Sequence, residues 1–421
     1  MKRVVVVGGG FAGCSAAVTA ARAGAQTILI ERKNTLSGLG PWTGHIVTWV
    51  ARQETKLLGG GGKDVLEALE SVTIHEGSAL GAPAHVIAFD ATRSDALMEQ
   101  VVSEGGVEII FKRRVVDVVR DGEQVTAVTL DDGTRIPGDA FVDATGKGGG
   151  IDVCEKYGQG CVVCMVQCPM WGDRVSLSER AGVPDVSTGR EASYLGAVLA
   201  AMESLSPDVQ RKILAGEAGY SYHPLPPEMV NMDVTAYWRR PERPPTTTLF
   251  KPNIEILHMP YAKIYRPNMP QALYRRLPGF ENIWFVNPMA AGDGQAVQLD
   301  GMAPHDNTLK VNGLANLFCA GVRAGRYDAF VECIFTGDLA GYNAARSAHD
   351  MPLMELPETT VMGLFLSRIN ERHTYSDWPL GTATAPASAL YREYGLDTAD
   401  MNRIRARVEA AGLTGIYTRK L

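Results

Sequence analysis

The sequence predicts an α/β chain built on a doubly wound parallel sheet, and three observations carry that expectation. Near the start, Val4-Val5-Val6-Val7 runs into Gly8-Gly9-Gly10-Phe11-Ala12-Gly13, and a second apolar run, Thr27 to Ile30, closes on Glu31. Further on, a series of short β-patterned segments ends in Ala140-Phe141-Val142-Asp143-Ala144-Thr145-Gly146. Late in the chain, the apolar run Leu317-Phe318-Cys319-Ala320 stops at Gly321 and gives way to a helical pattern from about Ala329 to Ala348.

The first of these is a dinucleotide fingerprint. A buried strand enters a turn in which Gly8 permits the bend, Gly10 lets the backbone approach a pyrophosphate, and Gly13 lets the following alanine-rich helix pack close. Phe11 and Ala12 open that helix, whose N–H groups and positive dipole end favour an anion. Glu31 stands where a carboxylate accepts hydrogen bonds from ribose hydroxyls, with Arg32 beside it.

At 421 residues the chain exceeds the size at which a single core keeps growing, so two lobes are expected. Hydrophobic residues make up 45% and charged residues 21%, with a formal net charge of −6. That balance gives no general attraction to nucleic acid or to an anionic membrane. No apolar run reaches membrane-spanning length. Glycines and Arg22 interrupt the N-terminal apolar stretch, so a secretory leader is not expected. Seven cysteines in a large chain then point to a reducing, cytoplasmic compartment.

Between the landmarks, Gly59-Gly60-Gly61-Gly62 reads as a loop leading into an amphipathic helix near Lys63. Asp90 is a candidate N-cap for a helix carrying Leu97, Met98, Val101 and Val102. A meander follows over Val107 to Phe111, Val115 to Arg120, Gln124 to Leu130 and Thr134 to Ile136. From about Gly150 to Met289 the chain turns proline-rich and irregular, with a helix expected around Tyr194 to Ser204 and extended stretches at Thr246 to Phe250 and Ile254 to Met259. The expected division is a discontinuous cofactor domain (1–150 and 305–350), an inserted mixed α+β substrate domain (151–304) and a C-terminal helical extension (351–421).

The order fingerprint, meander, Ala-Thr-Gly and returning strand resembles the two-dinucleotide-fold flavoproteins. That likeness implies a Rossmann-like sheet of the glutathione-reductase type, FAD rather than NAD, and Thr145 and Gly146 against the adenylate. Gly321, Arg326 and Phe330 would then lie on the flavin side, the last helix aiming its N-terminus at the ring. More specifically, the stretch from Leu277-Pro278-Gly279-Phe280-Glu281-Asn282 through Asn307-Thr308-Leu309 and the Leu317 to Arg346 block is similar to the GidA/TrmFO class, tRNA-modifying enzymes that use FAD and a folate one-carbon donor. The middle of the chain departs from that class. Phe330 stands where its members carry an aromatic hydroxyl, and Cys333-Ile334-Phe335 replaces a run of small residues.

Cys161, Cys164 and Cys168-Pro169 form C-x2-C-x3-C-P, with Cys154 seven residues upstream. Three readings stay open: a [4Fe-4S] or other metal site on Cys154, Cys161, Cys164 and Cys168, a redox-active thiol or dithiol beside the flavin, and packing cysteines. Cys14, Cys319 and Cys333 read as packing residues. His305 is a candidate proton-transfer group, or a loop histidine that holds backbone. Arg323 and Arg326 are candidates to face an anionic flavin or substrate, or to lie on the surface.

The expected function is an FAD-dependent oxidoreductase acting on a small-molecule or thiol substrate, with a partner protein as a candidate electron source and a second copy a candidate neighbour for the C-terminal helix Asp400 to Ala411. A TrmFO-like tRNA methyltransferase and a flavin-binding subunit of an electron-transfer complex are the alternatives.

Overall fold

The computed structural model describes residues 1–38, 40, 45–46, 49–76, 87–146, 175–187, 195–201, 206–208, 211, 247–251, 254–262, 275, 279, 281–282, 285–291, 301–325, 330–371 and 390–421. In chain order the elements begin β1 (Arg3–Val7), α1 (Phe11–Arg22), β2 (Gln26–Glu31), β3 (His45–Ile46), α2 (Trp49–Leu58), α3 (Gly60–Glu70), β4 (Thr73–Glu76) and β5 (Ile87–Phe89). They continue with α4 (Ser94–Glu104), β6 (Glu108–Phe111), β7 (Val115–Asp121), β8 (Gln124–Leu130), β9 (Arg135–Pro137) and β10 (Ala140–Asp143). After α5 (Leu177–Arg180) come β11 (Val186–Ser187), β12 (Leu195–Ala201), β13 (Thr247–Lys251), β14 (Ile254–Ala262), β15 (Phe285–Ala291), β16 (Gly301–Met302) and β17 (Leu317–Cys319). The chain ends in α6 (Phe330–Ala348), α7 (Val361–Glu371) and α8 (Met401–Ala410).

The three landmarks meet in one parallel sheet of order β17-β10-β1-β2-β6. Val4 to Val7 pair in register with Ala140 to Asp143, and Phe141 to Asp143 with Leu317 to Cys319. Strands covered on both faces read as continuous apolar runs, which is why β1, β2 and β10 stand out so clearly in the sequence. Helices α1 and α6 pack together against this sheet through small residues: a Cβ on Gly337 would lie 2.2 Å from the Ala12 carbonyl oxygen, and one on Gly341 2.1 Å from that of Ala16.

Four expectations need correcting. Strand β6 does not belong to the meander; it edges the parallel sheet beside β2, and only β7, β8 and β9 form the antiparallel meander. Residues 195–201 are the strand β12, paired to β14 and β15, and not a helix. Their Leu-Gly-Ala-Val-Leu-Ala-Ala run has no polar face, so periodicity cannot separate a buried strand from a buried helix there. Gly60, Gly61 and Gly62 are the first turn of α3 and not a leading loop. Asp90 caps a 3-10 turn, Ala91–Arg93, ahead of α4, its carboxylate accepting from the Thr92 N–H.

The ends of β7, β8, β9, β13, α6 and α8 fall within a residue or two of expectation, while β14 runs three residues further, to Ala262. Asp400 caps α8, accepting from the Asn402 N–H at 2.9 Å. Among the described residues no helix is long and apolar enough to cross a membrane.

Candidate cofactor site

The site is built where β1, β2 and β10 end. Gly8 turns the chain with φ of 104°, and a Cβ there would lie 2.3 Å from the Ala144 carbonyl oxygen. A Cβ on Gly13 would lie 1.8 Å from the Gly8 carbonyl oxygen, so α1 is seated directly on the turn. Gly10 heads α1, and among the described residues its Cβ position meets nothing closer than the Gly38 Cα at 3.8 Å. Among the described residues the helix therefore starts with an open approach, and its first turn carries no acidic residue. That combination suits a pyrophosphate.

Glu31 ends β2, buried, with Oε2 accepting the Gly9 N–H at 2.6 Å and Oε1 the Lys33 N–H at 2.8 Å. An ionised carboxylate has about four acceptor positions, so Glu31 can brace the glycine turn and still receive ribose hydroxyls. Glu31, Arg32, Arg114, Val115, Thr145 and Val175 line a cleft beside Gly8. Thr145 gives both its N–H (3.1 Å) and its hydroxyl (2.6 Å) to Asp143 Oδ1, and Gly146 follows at φ of 62°.

Ser37 was not among the residues singled out from the sequence. It bridges Gly10 through the backbone, holds φ of 77°, and among the described residues its buried Oγ has no hydrogen-bond partner. A strained residue with an orphaned, buried hydroxyl therefore stands beside the head of α1. The only signal in sequence was the glycine-rich context Leu36 to Gly44, which reads as loop.

On the flavin side, Gly321 takes φ of 60°, gives its N–H to Thr336 Oγ1 at 3.0 Å, and would meet Ala12 Cβ at 2.9 Å if it carried a Cβ. Phe330 begins α6; Arg326 lies outside the described residues. Phe11 is buried edge-to-face on Phe89, so its ring belongs to the core while its backbone stays in the first turn of α1.

His305 is buried, with Nδ1 2.8 Å from the Asp306 carbonyl oxygen and Nε2 2.7 Å from that of Ala324. Both neighbours only accept, so the ring holds this loop best with a proton on each nitrogen. Arg323 lies neither on the surface nor open to a flavin. It is fully buried between Asp143 and Asp185.

Burial pushes the Cys14 thiol up to about 12, and Cys319 also stands well above its ordinary value for the same reason. With Cys333 these are buried free thiols. Cys154, Cys161, Cys164 and Cys168 lie outside the described residues. Among the described residues no group of His, Cys, Asp and Glu is arranged to hold a metal.

The glycine cradle, the open α1 N-terminus, the orphaned Ser37 hydroxyl and the braced Glu31 together fit FAD. Comparison with known proteins agrees. Residues 3–163 match the family described as FAD dependent oxidoreductase, and residues 263–352 match the family described as glucose inhibited division protein A. A methylenetetrahydrofolate–tRNA-(uracil-5-)-methyltransferase TrmFO from Methylobacterium radiotolerans is 31% identical over 116 residues, which is 28% of this chain and 23% of that protein. The aligned region thus spans under a quarter of that relative.

Among solved structures, GidA from Aquifex aeolicus superposes with a TM-score of 0.63 at 18% identity, covering 97% of this chain and 76% of that one. A geranylgeranyl bacteriochlorophyll reductase-like protein from Thermoplasma acidophilum gives 0.52 at 12% identity, covering 98% and 100%. These two likenesses concern the fold. Residues 3–163 are thus similar to the FAD-dependent oxidoreductases and residues 263–352 to the GidA proteins, and the cradle built from β1, β2 and β10 is of the kind that holds FAD.

Proposed function

We propose that this enzyme is an oxidoreductase acting on a small-molecule or thiol substrate, with Cys161, Cys164 and Cys168 as a redox centre beside the cofactor. The observation that supports this reading is topological. The chain leaves the wall of the cofactor cleft at Thr145 and is back on that wall at Val175, so the stretch that carries all four clustered cysteines begins and ends at the FAD site.

Bound FAD would supply two-electron redox chemistry. The chain's own residues would bind and orient it: the α1 N-terminus and Ser37 at the pyrophosphate, Glu31 at the ribose, and Thr145 with Val115 at the adenylate. Gly321 and the start of α6 would approach the ring, where the helix dipole favours negative charge. His305, held on the Asp306 and Ala324 carbonyls, would have to release one of them to move a proton.

The test is the visible spectrum of anaerobically purified protein with iron and sulfide analysis. Two resolved flavin bands are expected, and their absence after FAD supplementation would overturn cofactor binding. Iron at about four per chain selects a [4Fe-4S] centre on Cys154, Cys161, Cys164 and Cys168, whereas no iron selects the thiol form. Cys164→Ser is expected to change redox turnover while FAD stays bound; unchanged turnover would remove the cysteines from the reaction.

The TrmFO match favours a second reading, tRNA modification. It requires tRNA affinity that falls steeply with salt, and absence of tRNA binding at low salt would discard it.

A further inference from the structure

The carboxylate of Asp143, at the end of β10, is shared by two distant stretches of chain. Its Oδ1 accepts the N–H and hydroxyl of Thr145, and its Oδ2 accepts the Leu177 N–H at 3.2 Å. Thr145 and Val175, on either side of the cysteine-bearing stretch, both line the cofactor cleft. One buried carboxylate therefore holds both ends of that stretch.

Arg323, on the 3-10 turn Gly321–Ala324 after β17, closes the arrangement. Its Nε donates to Asp143 Oδ2 at 3.2 Å, and its Nη2 reaches Asp185 Oδ1 at 2.6 Å, Ser176 Oγ at 2.7 Å and Ser178 Oγ at 3.3 Å. The Arg323 and Asp143 side chains are 0% exposed. Burial works against the guanidinium charge, but Asp143 and Asp185 outweigh it and hold Arg323 above its ordinary value. The same turn accepts the Ala303 N–H at the Arg323 carbonyl and touches His305 at the Ala324 carbonyl.

A buried ion pair is a poor source of net stability, because desolvation offsets most of the attraction. What such a group does well is fix geometry. Here it joins the adenylate end of the cleft to the turn that leads toward α6.

We propose that Asp143 and Arg323 are positioning residues for FAD, a clasp that sets Thr145 and Val175 at the adenylate end of the cleft. Neither residue touches the cofactor. Both act through the walls that do.

The experiment titrates apo-protein with FAD and, separately, with ADP, which occupies the adenylate end alone. The variants are Arg323→Lys, which keeps the charge and loses the second arm, and Asp143→Asn. Far-ultraviolet circular dichroism and the urea midpoint report folding independently. Both ligands are expected to weaken about tenfold in parallel, the equivalent of one charge-assisted hydrogen bond. Any of four results overturns the proposal: folded variants whose affinities stay within about twofold of wild type, FAD weakened with ADP unchanged, wild-type protein that takes FAD and not ADP, or failure of both variants to fold. These affinities are read without turnover and do not depend on the role of the cysteines.

Discussion

The backbone N–H of Gly62 lies 2.8 Å from Asp338 Oδ1, so the four-glycine run seats a helix N-terminus on a buried carboxylate. Ser15 and Thr19 of α1 place their hydroxyls on the same oxygen, at 2.8 and 2.5 Å, and Gly61 gives its N–H to Thr19. Asp338 thereby ties α1, α3 and α6 together behind the fingerprint. No side chain fits between them. A Cβ on Gly62 would lie 2.1 Å from Asp338 Oδ2, and one on Gly61 2.4 Å from the Ser15 carbonyl oxygen. We expect Gly62→Ala to lose about 1–3 kcal/mol or more through overpacking, despite the better helix propensity of alanine. Urea unfolding measures it, and a variant as stable as wild type would contradict the packing described.

Asp338 also predicts a pH dependence. Burial pushes its carboxyl up to about 7, against the hydrogen bonds from Thr19, Gly62 and Ser15. Among the described residues Oδ2 has no hydrogen-bond partner, which is why desolvation prevails. The folded state holds this proton more tightly than the unfolded chain does. Its contribution to stability is therefore full below the ordinary carboxylate range, falls as pH rises through it toward 7, and is flat above. Each unit of separation corresponds to about 1.4 kcal/mol. Asp338→Asn keeps the Oδ1 acceptor and removes the titration, so its stability relative to wild type should rise from pH 5 to pH 8. Parallel urea midpoints across that range would show that the carboxyl does not titrate there.

The landmarks of the cofactor domain were legible because each is a buried strand ending at a glycine, and a buried strand in a parallel sheet has to be apolar along its length. Gly8 and Gly13 could be placed for the same reason: close backbone approach excludes a side chain there, which leaves its mark on residue type. Asp143, Arg323, Asp338 and Ser37 were not legible as a set. Their partners come from β10, α5, α1, α3 and the turn after β17, and no local pattern announces a contact between residues so far apart in sequence. The glycines at 60–62 misled because glycine ordinarily marks a loop, whereas here close helix packing requires it.

A substitution at Ser37 tests cofactor binding separately from folding. Its φ of 77° is strained for serine, while its Oγ does nothing for the protein fold. Ser37→Gly should stabilise the apo-protein by about 1 kcal/mol and weaken FAD several-fold. Calorimetric titration beside thermal unfolding distinguishes the two effects. Equal FAD affinity would mean that the hydroxyl is not a ligand.

Arg114 is half-buried and lines the cleft, and among the described residues its guanidinium has no hydrogen-bond or ion-pair partner. Arg113 beside it is already paired with Asp132 at 3.0 Å. A planar cation in this position is suited to stack on the adenine or to meet a phosphate. Arg114→Ala is expected to weaken FAD and ADP by about tenfold while FMN, which lacks the adenylate, binds as before. An equal loss for all three would point to a general electrostatic effect and not to recognition.

The C-terminal region is tied to the cofactor domain by Glu54 of α2. Its Oε1 accepts a hydrogen bond from Arg407 Nε at 2.7 Å and lies 2.5 Å from Nη2 in an ion pair, and its Oε2 accepts the Val361 N–H at the head of α7, at 3.0 Å. Burial raises the Glu54 carboxyl, to about 7, against the pull of Arg407. Removing the arginine leaves a buried acid with its principal counter-charge gone. Arg407→Met alone should therefore cost about 3–5 kcal/mol, and more at pH 8 than at pH 5.5, because the acid must then ionise unpaired. Combining it with Glu54→Gln, which still accepts from Val361, should restore much of that loss and remove its pH dependence. A double variant no more stable than Arg407→Met would locate the cost in the other Arg407 contact, the Leu396 carbonyl oxygen at 3.0 Å from Nη1, and not in the ion pair.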